Sequence, residues 1–397
     1  MDEPKTPLLD ELDQGQWPSF VEQLKEAAKK SASAADLARQ LERSYQDNTG
    51  HWKRGGIVGV RGYGGGVVGR YSAMPEEFPE VKEFHTLRVN EPAGFYYTTE
   101  KLRQLCDVWD RWGSGLLNLH GSTGDIILLG TTTENLQPCF DALSEIGFDL
   151  GGSGSALRTV TCCVGPSRCE HACIDTMDVT QELTAHFQNE IHRPSFPYKF
   201  KVKCSGCPND CAAAAARSDL AIIGLWRDAI EIDQAAVRQY VDEGLDLFNE
   251  VLRRCPTWAL EWDAGARELK LNADDCVHCM HCINRMPKAL HVGRVRGAAL
   301  MIGGKAPVVK GALLGWVLVP LMEMKPPYTE LKELLTKIFD YWAENGKNRE
   351  RVGELIDRMG MAAFLEAVGL EPLPQMVHAP RANPYLFWRP EEVKQHG

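Results

Sequence analysis

Two runs of sequence, TCCVGPSRCEHACID (161–175) and KCSGCPNDC (203–211), decide how this 397-residue chain is read, because they hold seven of its 13 cysteines. Four more, Cys255, Cys276, Cys279 and Cys282, follow; only Cys106 and Cys139 lie outside the interval 162–282. Grouped thiols are what metal ligation requires. Disulfides are not expected, since the first residues, MDEPKTPLLDELDQG, are acidic and lack the basic-then-apolar run of a secretory leader. A cytoplasmic protein is expected. Cys106 and Cys139 are expected to be small buried hydrophobes.

Further along, CVHCMHC (276–282) places three thiols at i, i+3 and i+6, the spacing that wraps the corners of a cubane. A bacterial ferredoxin run would continue C-x₃-C-P, but here Met286 stands before Pro287. In two-cluster ferredoxins that fourth cysteine serves the other cluster, so its loss implies a single cluster whose remaining ligand comes from elsewhere. Cys255-Pro256 supplies it, giving an expected [4Fe-4S] centre on Cys255, Cys276, Cys279 and Cys282. The alternative is a Cys₄ zinc site, which more often uses two C-x₂-C knuckles. His278 and His281 lie between ligands and are read as supporting or solvent-facing residues. Spacing alone does not choose among the seven earlier cysteines. Two pairs stand out, Cys163-x₅-Cys169 and Cys207-x₃-Cys211, while Cys162 in place of Cys163 would give x₆.

Working outward, the chain is 44% hydrophobic and 25% charged, ordinary usage for a folded protein of two to three domains. A net charge of −10 excludes the general basic footprint of a nucleic-acid binder, so any anion site must be local. The longest apolar run, Leu313 to Met322, is interrupted by Gly315 and Pro320 and falls far short of the ~20 residues of a membrane span.

The segment WKRGGIVGVRGYGGGVVGRYS (52–72) is expected to be β-rich, with backbone close to a flat ligand. Gly64, Gly66 and Gly69 match G-x-G-x-x-G formally, but no helix follows, so a dinucleotide site is rejected. From Glu83 to Leu150, strand-like runs (FHTLRV, GDIILLG) alternate with helical ones (TTEKLRQLCDVWDRW, TTENLQPCFDALSEIG), an α+β pattern. An amphipathic helix is expected from Phe20 to Tyr45, a hinge or boundary at Gly151–Ser155, and a return to helix after Lys310, with TELKELLTKIFDYWAEN and NRERVGELIDRMGMAAFLEAVGL as two amphipathic helices.

In PYKFKVKC (197–204) strict alternation would put Lys199, Lys201 and Lys203 on one face of a strand. Three ammonium groups on one face repel one another unless an anion lies near. The alternative is an edge strand protected by lysines.

Taken together, RTVTCCVGPSRCEHACID, KFKVKCSGCPNDC, CPTWAL, DDCVHCMHCIN, the glycine-rich segment and NLHGSTGDIILLGT resemble the alpha-subunit family of dissimilatory sulfite reductases over nearly the whole chain. The resemblance implies an α+β, sulfite/nitrite reductase-type sirohaem-binding fold with an inserted ferredoxin-like [4Fe-4S] domain. It implies a sirohaem/substrate-binding half with a helical arm (1–156), a coupled-cluster half (157–235 and 306–397) and the insert (236–305). Cys163, Cys169, Cys207 and Cys211 match the ligands of a [4Fe-4S] cluster coupled to sirohaem, Cys211 resembling the bridging thiolate. Arg88, Arg158, Lys199, Lys201 and Lys203 match substrate and sirohaem contacts, with Arg54, Arg61, Arg70, Ser122 and Thr123 as weaker matches for the macrocycle's carboxylates.

The implied activity is multi-electron interconversion of sulfite and sulfide-level sulfur, in either direction, by an oxidoreductase carrying sirohaem and two [4Fe-4S] clusters. The implied partners are a paralogous beta subunit in an α₂β₂ heterotetramer and a small sulfur-carrier protein. In that assembly the cations of this chain would serve a sirohaem whose cluster belongs to the beta subunit. The competing readings are a beta subunit or an assimilatory sulfite/nitrite reductase and, from another class, a non-catalytic iron–sulfur protein for electron transfer or redox sensing. The inserted domain argues against the assimilatory reading.

Overall fold

The computed structural model describes residues 4–55, 58–90, 96–193, 196–308 and 311–373. Of the glycine-rich segment, Gly56 and Ile57 lie outside them. The chain divides into two units: Met1–Thr159 with Leu183–Phe200, and Val160–Glu182 with Lys201–Gly397.

In the first unit an antiparallel sheet runs in the order Val67–Val68, His85–Asn90, Ile126–Thr131, Leu116–Leu119, with Asp149–Leu150 also paired to His85–Asn90. Alternation along His85–Asn90 buries Leu87 and Val89 and sends Arg88 to the opposite face. The helices Thr99–Trp112 and Leu136–Glu145 supply Leu105, Trp109, Leu136, Cys139 and Leu143 to the same apolar core. Cys139 is fully buried, and burial pushes its thiol up to about 12. Cys106 is exposed instead, because Leu105 and Trp109 take the inward face of its helix.

The helix expected from Phe20 to Tyr45 forms as two, Phe20–Ala28 and Ala32–Gln46. Ser31 starts the second by accepting the Ala34 N–H on its hydroxyl, which satisfies an otherwise orphaned helical donor. The glycine-rich segment carries only short strands, Trp52–Arg54, Val67–Val68 and Arg70–Ser72. Between them the backbone is closely packed: a Cβ on Gly66, at φ +86°, would stand 2.6 Å from the Leu150 Cβ.

The second unit is built on a mixed sheet in the order Trp316–Met322, Arg296–Ile302, Leu220–Trp226, Val202–Ser205, Thr161–Cys162. Its first three strands are antiparallel; the remaining pairings are parallel. Arg296–Ile302 pairs along its whole length with Leu220–Trp226, so the chain is already back in this sheet before residue 305, and the stretch set off from it runs from 227 to 295. Helix does not resume directly after Lys310 as expected: Gly311–Leu313 and Trp316–Met322 are strands, the latter completing the sheet, and the next helix begins at Thr329.

Three helices, Thr329–Asn345, Val352–Met359 and Met361–Val368, complete the described part, the last two being separated by Gly360 at φ +91°. Among the described residues no helix is long and apolar enough to cross a membrane.

Candidate functional site

The first cysteine group grows from the parallel pairing of Thr161–Cys162 with Val202–Ser205, which sets Cys162 opposite Cys204. Cys163 is the first residue past the strand; its N–H donates to the Cys204 carbonyl at 3.0 Å. The chain then turns at Gly165, φ +51°, where a Cβ would meet the Thr176 hydroxyl at 2.1 Å. Cys169 N–H closes this turn on the Gly165 carbonyl at 2.9 Å, and Cys173 N–H reaches the Gly206 carbonyl at 2.7 Å. The loop is thereby pinned beside Gly206-Cys207.

Two observations separate Cys163 from Cys162. The Gly206 N–H donates to the Cys163 sulfur at 3.1 Å, and hydrogen bonds to sulfur are one of the levers that set cluster potentials. Cys162 instead places its sulfur 3.6 Å from that of Met177. Burial pushes the Cys207 thiol up; the Asn209 N–H acts in the opposite sense, and the thiols of Cys169, Cys211 and Cys163 push it up further. Cys163, Cys169 and Cys211 thus each act on Cys207. Cys173 is pushed up to about 12, chiefly by burial, and the fully enclosed Cys204 well above the ordinary thiol range.

The second group begins at Cys255, just after the π-helical turn Phe248–Leu252. Ala259 N–H donates to its sulfur at 3.3 Å. Burial opposes ionisation of Cys255, but the N–H groups of Thr257, Ala259 and Trp258 outweigh it and leave the thiol below its ordinary value. Positive φ at His278 and Met280, 52° and 68°, winds the backbone around Cys279, and Cys282 sits in the helix His281–Arg285. Such conformations in non-glycine residues cost energy and gather at functional sites. Burial pushes Cys282 up to about 12, with the thiols of Cys279, Cys276 and Cys255 adding to it.

All four of these cysteines line one small cavity, with Trp226 and Ile283 among its apolar walls. Trp226 is 1% exposed, its indole N–H has no acceptor among the described residues, and its ring stacks on His278 at 4.5 Å. A soft, four-thiol donor set with a buried N–H to spare suits a sulfide-bearing cluster. Among the described residues no three His, Cys, Asp or Glu side chains are gathered closely enough to share a single metal ion. A cubane takes one thiolate at each of four irons and holds its cysteines farther apart than one ion does.

The cations fall in both units. In the second, the strand containing Lys203 covers only Val202–Ser205, shorter than the alternation suggests, so Lys199 and Lys201 precede it. It is an interior strand with neighbours on both sides, which removes the edge-strand explanation of the lysines. Lys203 is 5% exposed; its ammonium donates to the Ala212 carbonyl at 3.2 Å, and burial, followed by the Arg217 charge, lowers its pKa. Lys201 is held by its backbone: its N–H donates to the Asp219 carboxylate at 2.8 Å, and its carbonyl accepts from the N–H groups of Asp219 and Leu220 at 2.9 and 3.1 Å.

Asp219 is itself buried and gripped by Arg351 through two 2.7 Å bonds. Sequence reading missed this pair, whose members stand 132 positions apart.

In the first unit Lys199 lies with its ammonium 5.0 Å from the Tyr198 ring. Arg88 is ion-paired to the buried Asp125, its Nε donating at 3.0 Å, and also bonds Thr123. Asp125, unmarked in the sequence reading, additionally accepts from Thr123 and Thr159. Ser122 is half-buried beside this network. Arg158 curls onto its own hinge, donating to the carbonyls of Ala156 and Gly154 at 3.0 and 2.9 Å.

Arg54 stands directly opposite Arg70 in the pairing of Trp52–Arg54 with Arg70–Ser72. Burial, and secondarily the Arg54 charge, lowers the Arg70 pKa. Like charges facing each other across strands are destabilising without a counter-ion, so this pair fits an anionic ligand. Arg61 is exposed in the middle of the same glycine-rich run.

Known proteins resemble this chain in sequence and fold. Residues 153–376 match the family model "Nitrite and sulphite reductase 4Fe-4S domain", and residues 78–146 match "Nitrite/Sulfite reductase ferredoxin-like half domain". The chain is 50% identical to the dissimilatory-type sulfite reductase subunit alpha of Nitratidesulfovibrio vulgaris, covering 98% of this chain and 95% of that one. It is 47% identical to the corresponding subunit of Allochromatium vinosum, covering 97% and 94%. Among solved structures, dissimilatory sulfite reductase I superposes with a TM-score of 0.89 at 48% identity, over 98% of this chain and 96% of the other.

Proposed function

The chain belongs to the alpha-subunit family of dissimilatory-type sulfite reductases, and from that premise we propose that it converts sulfite and sulfide-level sulfur into one another as one subunit of a larger oxidoreductase. The observation that carries this reading is the cavity lined by Cys255, Cys276, Cys279 and Cys282; beside it, the bonds that pin the loop of Cys163 and Cys169 next to Gly206-Cys207 support a second group of Cys163, Cys169, Cys207 and Cys211. Each would hold a [4Fe-4S] cluster, that of Cys163, Cys169, Cys207 and Cys211 adjoining sirohaem through Cys211, the other within the insert, expected over 236–305 and set off from the main sheet over 227–295. The first unit, Met1–Thr159 with Leu183–Phe200, would bind the macrocycle and substrate, and the second would hold the coupled cluster.

When bound, the sirohaem and clusters supply a site for sulfite and the electrons that break its bonds to oxygen. The protein supplies charge. Lys203 is fixed by burial and one carbonyl, so its ammonium could meet an oxyanion with little reorganisation, and Lys201 is anchored beside it through its backbone. Arg88, Arg158 and Lys199 are the corresponding cations of the first unit. Arg54, Arg61 and Arg70, with Ser122 and Thr123, would hold the macrocycle's carboxylates, a role supported by the cross-strand arginine pair.

The homology of this chain to beta subunits, 26% identity over 72% of its length in Archaeoglobus fulgidus, supports a paralogous partner in an α₂β₂ assembly. Arg88, Arg158, Lys199, Lys201 and Lys203 would then serve a sirohaem whose cluster belongs to the beta subunit, and a small sulfur-carrier protein would be a further partner.

The test is spectroscopic. In the purified, anaerobically reduced heteromer, Cys282→Ser should remove one [4Fe-4S] electron paramagnetic resonance signal and spare the sirohaem absorption band, whereas Cys207→Ser should remove the other signal. A wild-type complex lacking either the band or the second signal would overturn the reading.

A further inference from the structure

Asn209 lies inside the Cys207–Cys211 turn, and Asn284 lies two residues after Cys282 on the helix His281–Arg285. Their side-chain amides bond reciprocally: Asn209 Nδ2 donates to Asn284 Oδ1 at 3.3 Å, and Asn284 Nδ2 donates to Asn209 Oδ1 at 3.0 Å. Each amide has one acceptor and one donor side, so a paired exchange admits one mutual orientation and fixes both separation and angle. Beneath the pair the two cysteine groups share an apolar core: Cys207, Trp226, Met280 and Ile283 are buried together, and Cys282 packs against them. The strand Leu220–Trp226 serves both groups as well. A Cβ on Gly224 would lie 2.0 Å from the Gly206 carbonyl oxygen, next to Cys207, while Trp226 stacks on His278, between Cys276 and Cys279.

Resting on the two-cluster reading above, we propose that Asn209 and Asn284 are positioning residues for electron transfer between the two cysteine centres. Their paired amides hold the Cys207 turn and the Cys282 helix at one separation and give a continuous bonded route from Cys282 through Asn284 and Asn209 to Cys207. Clusters of this kind exchange single electrons, and tunnelling falls off exponentially with separation and more gently through bonds than across gaps. In each transfer one electron leaves the centre on Cys255, Cys276, Cys279 and Cys282, which is oxidised, and enters that on Cys163, Cys169, Cys207 and Cys211, which is reduced. No covalent bond forms or breaks and no proton moves. An external low-potential one-electron donor refills the first centre.

The experiment uses the intact holo-complex, photoreduced by a one-electron donor and followed by freeze-quench electron paramagnetic resonance. Rates are read on the fraction of molecules that spin integration shows to hold both clusters. Asn284→Leu, and separately Asn209→Leu, should leave both midpoint potentials in place and slow electron equilibration between the clusters by about tenfold. Asn284→Asp, which keeps one acceptor for Asn209 Nδ2, should fall between wild type and Asn284→Leu. An unchanged rate in either leucine variant, with both signals present, overturns the positioning role while leaving the two-cluster reading intact. A wild-type complex with only one cluster signal overturns that reading and this inference with it.

Discussion

At the scale of single residues, the arrangement turns on a few buried charges that orient others. Asp219 is the clearest: enclosed by the protein, it takes both bonds of Arg351 and the N–H of Lys201. Removing one member of a buried pair leaves the other charge uncompensated, a loss of about 3–5 kcal/mol. Arg351→Met should therefore lower the unfolding midpoint measured by circular dichroism by that equivalent, and an unaltered midpoint would contradict the account. None of this was legible in the sequence, because Asp219 and Arg351 have no local relation that spacing could expose. The choice between Cys162 and Cys163 was likewise open, since both offer a plausible interval to Cys169. The structure gives the two different surroundings: Cys162 ends the ladder opposite Cys204, and Cys163, one residue on, receives the Gly206 N–H on its sulfur, which favours Cys163 in the proposed ligand set.

At the scale of elements, periodicity served where one face of a segment is covered and failed where the neighbours are distant. Thr99–Trp112 and Leu136–Glu145 appear as their apolar repeats imply. The lysine strand does not: alternation suggested either an anion face or an exposed edge, but parallel partners from residues 161 and 220 onward make Val202–Ser205 an interior strand. The strand Leu220–Trp226 has the strictest requirement, at Gly224, whose missing Cβ admits the Gly206 carbonyl. Gly224→Ala would press a methyl group into backbone that cannot rotate away, and overpacking of this kind costs about 1–3 kcal/mol. The expected outcome is selective: loss of the cluster signal assigned to Cys207, with the signal assigned to Cys282 retained. Loss of neither would show that the backbone there yields.

At the scale of the whole molecule, charge is deployed locally against a net of −10, so sulfite must be attracted by particular side chains rather than by a general field. Replacing Lys201 by Ala should then sharply lower sulfite turnover in the reconstituted heteromer, without altering either cluster signal; unchanged turnover would remove Lys201 from the anion site. The sequence by itself determined the family and pointed to iron–sulfur chemistry: C-x₂-C-x₂-C and the grouping of seven further cysteines are patterns that survive being read in one dimension. Tertiary structure alone decided which thiols share surroundings, which lysines are buried, and that Asn209 meets Asn284 across 75 positions of chain. Those are relations between segments brought together by sheet register and core packing, and no interval along the chain encodes them.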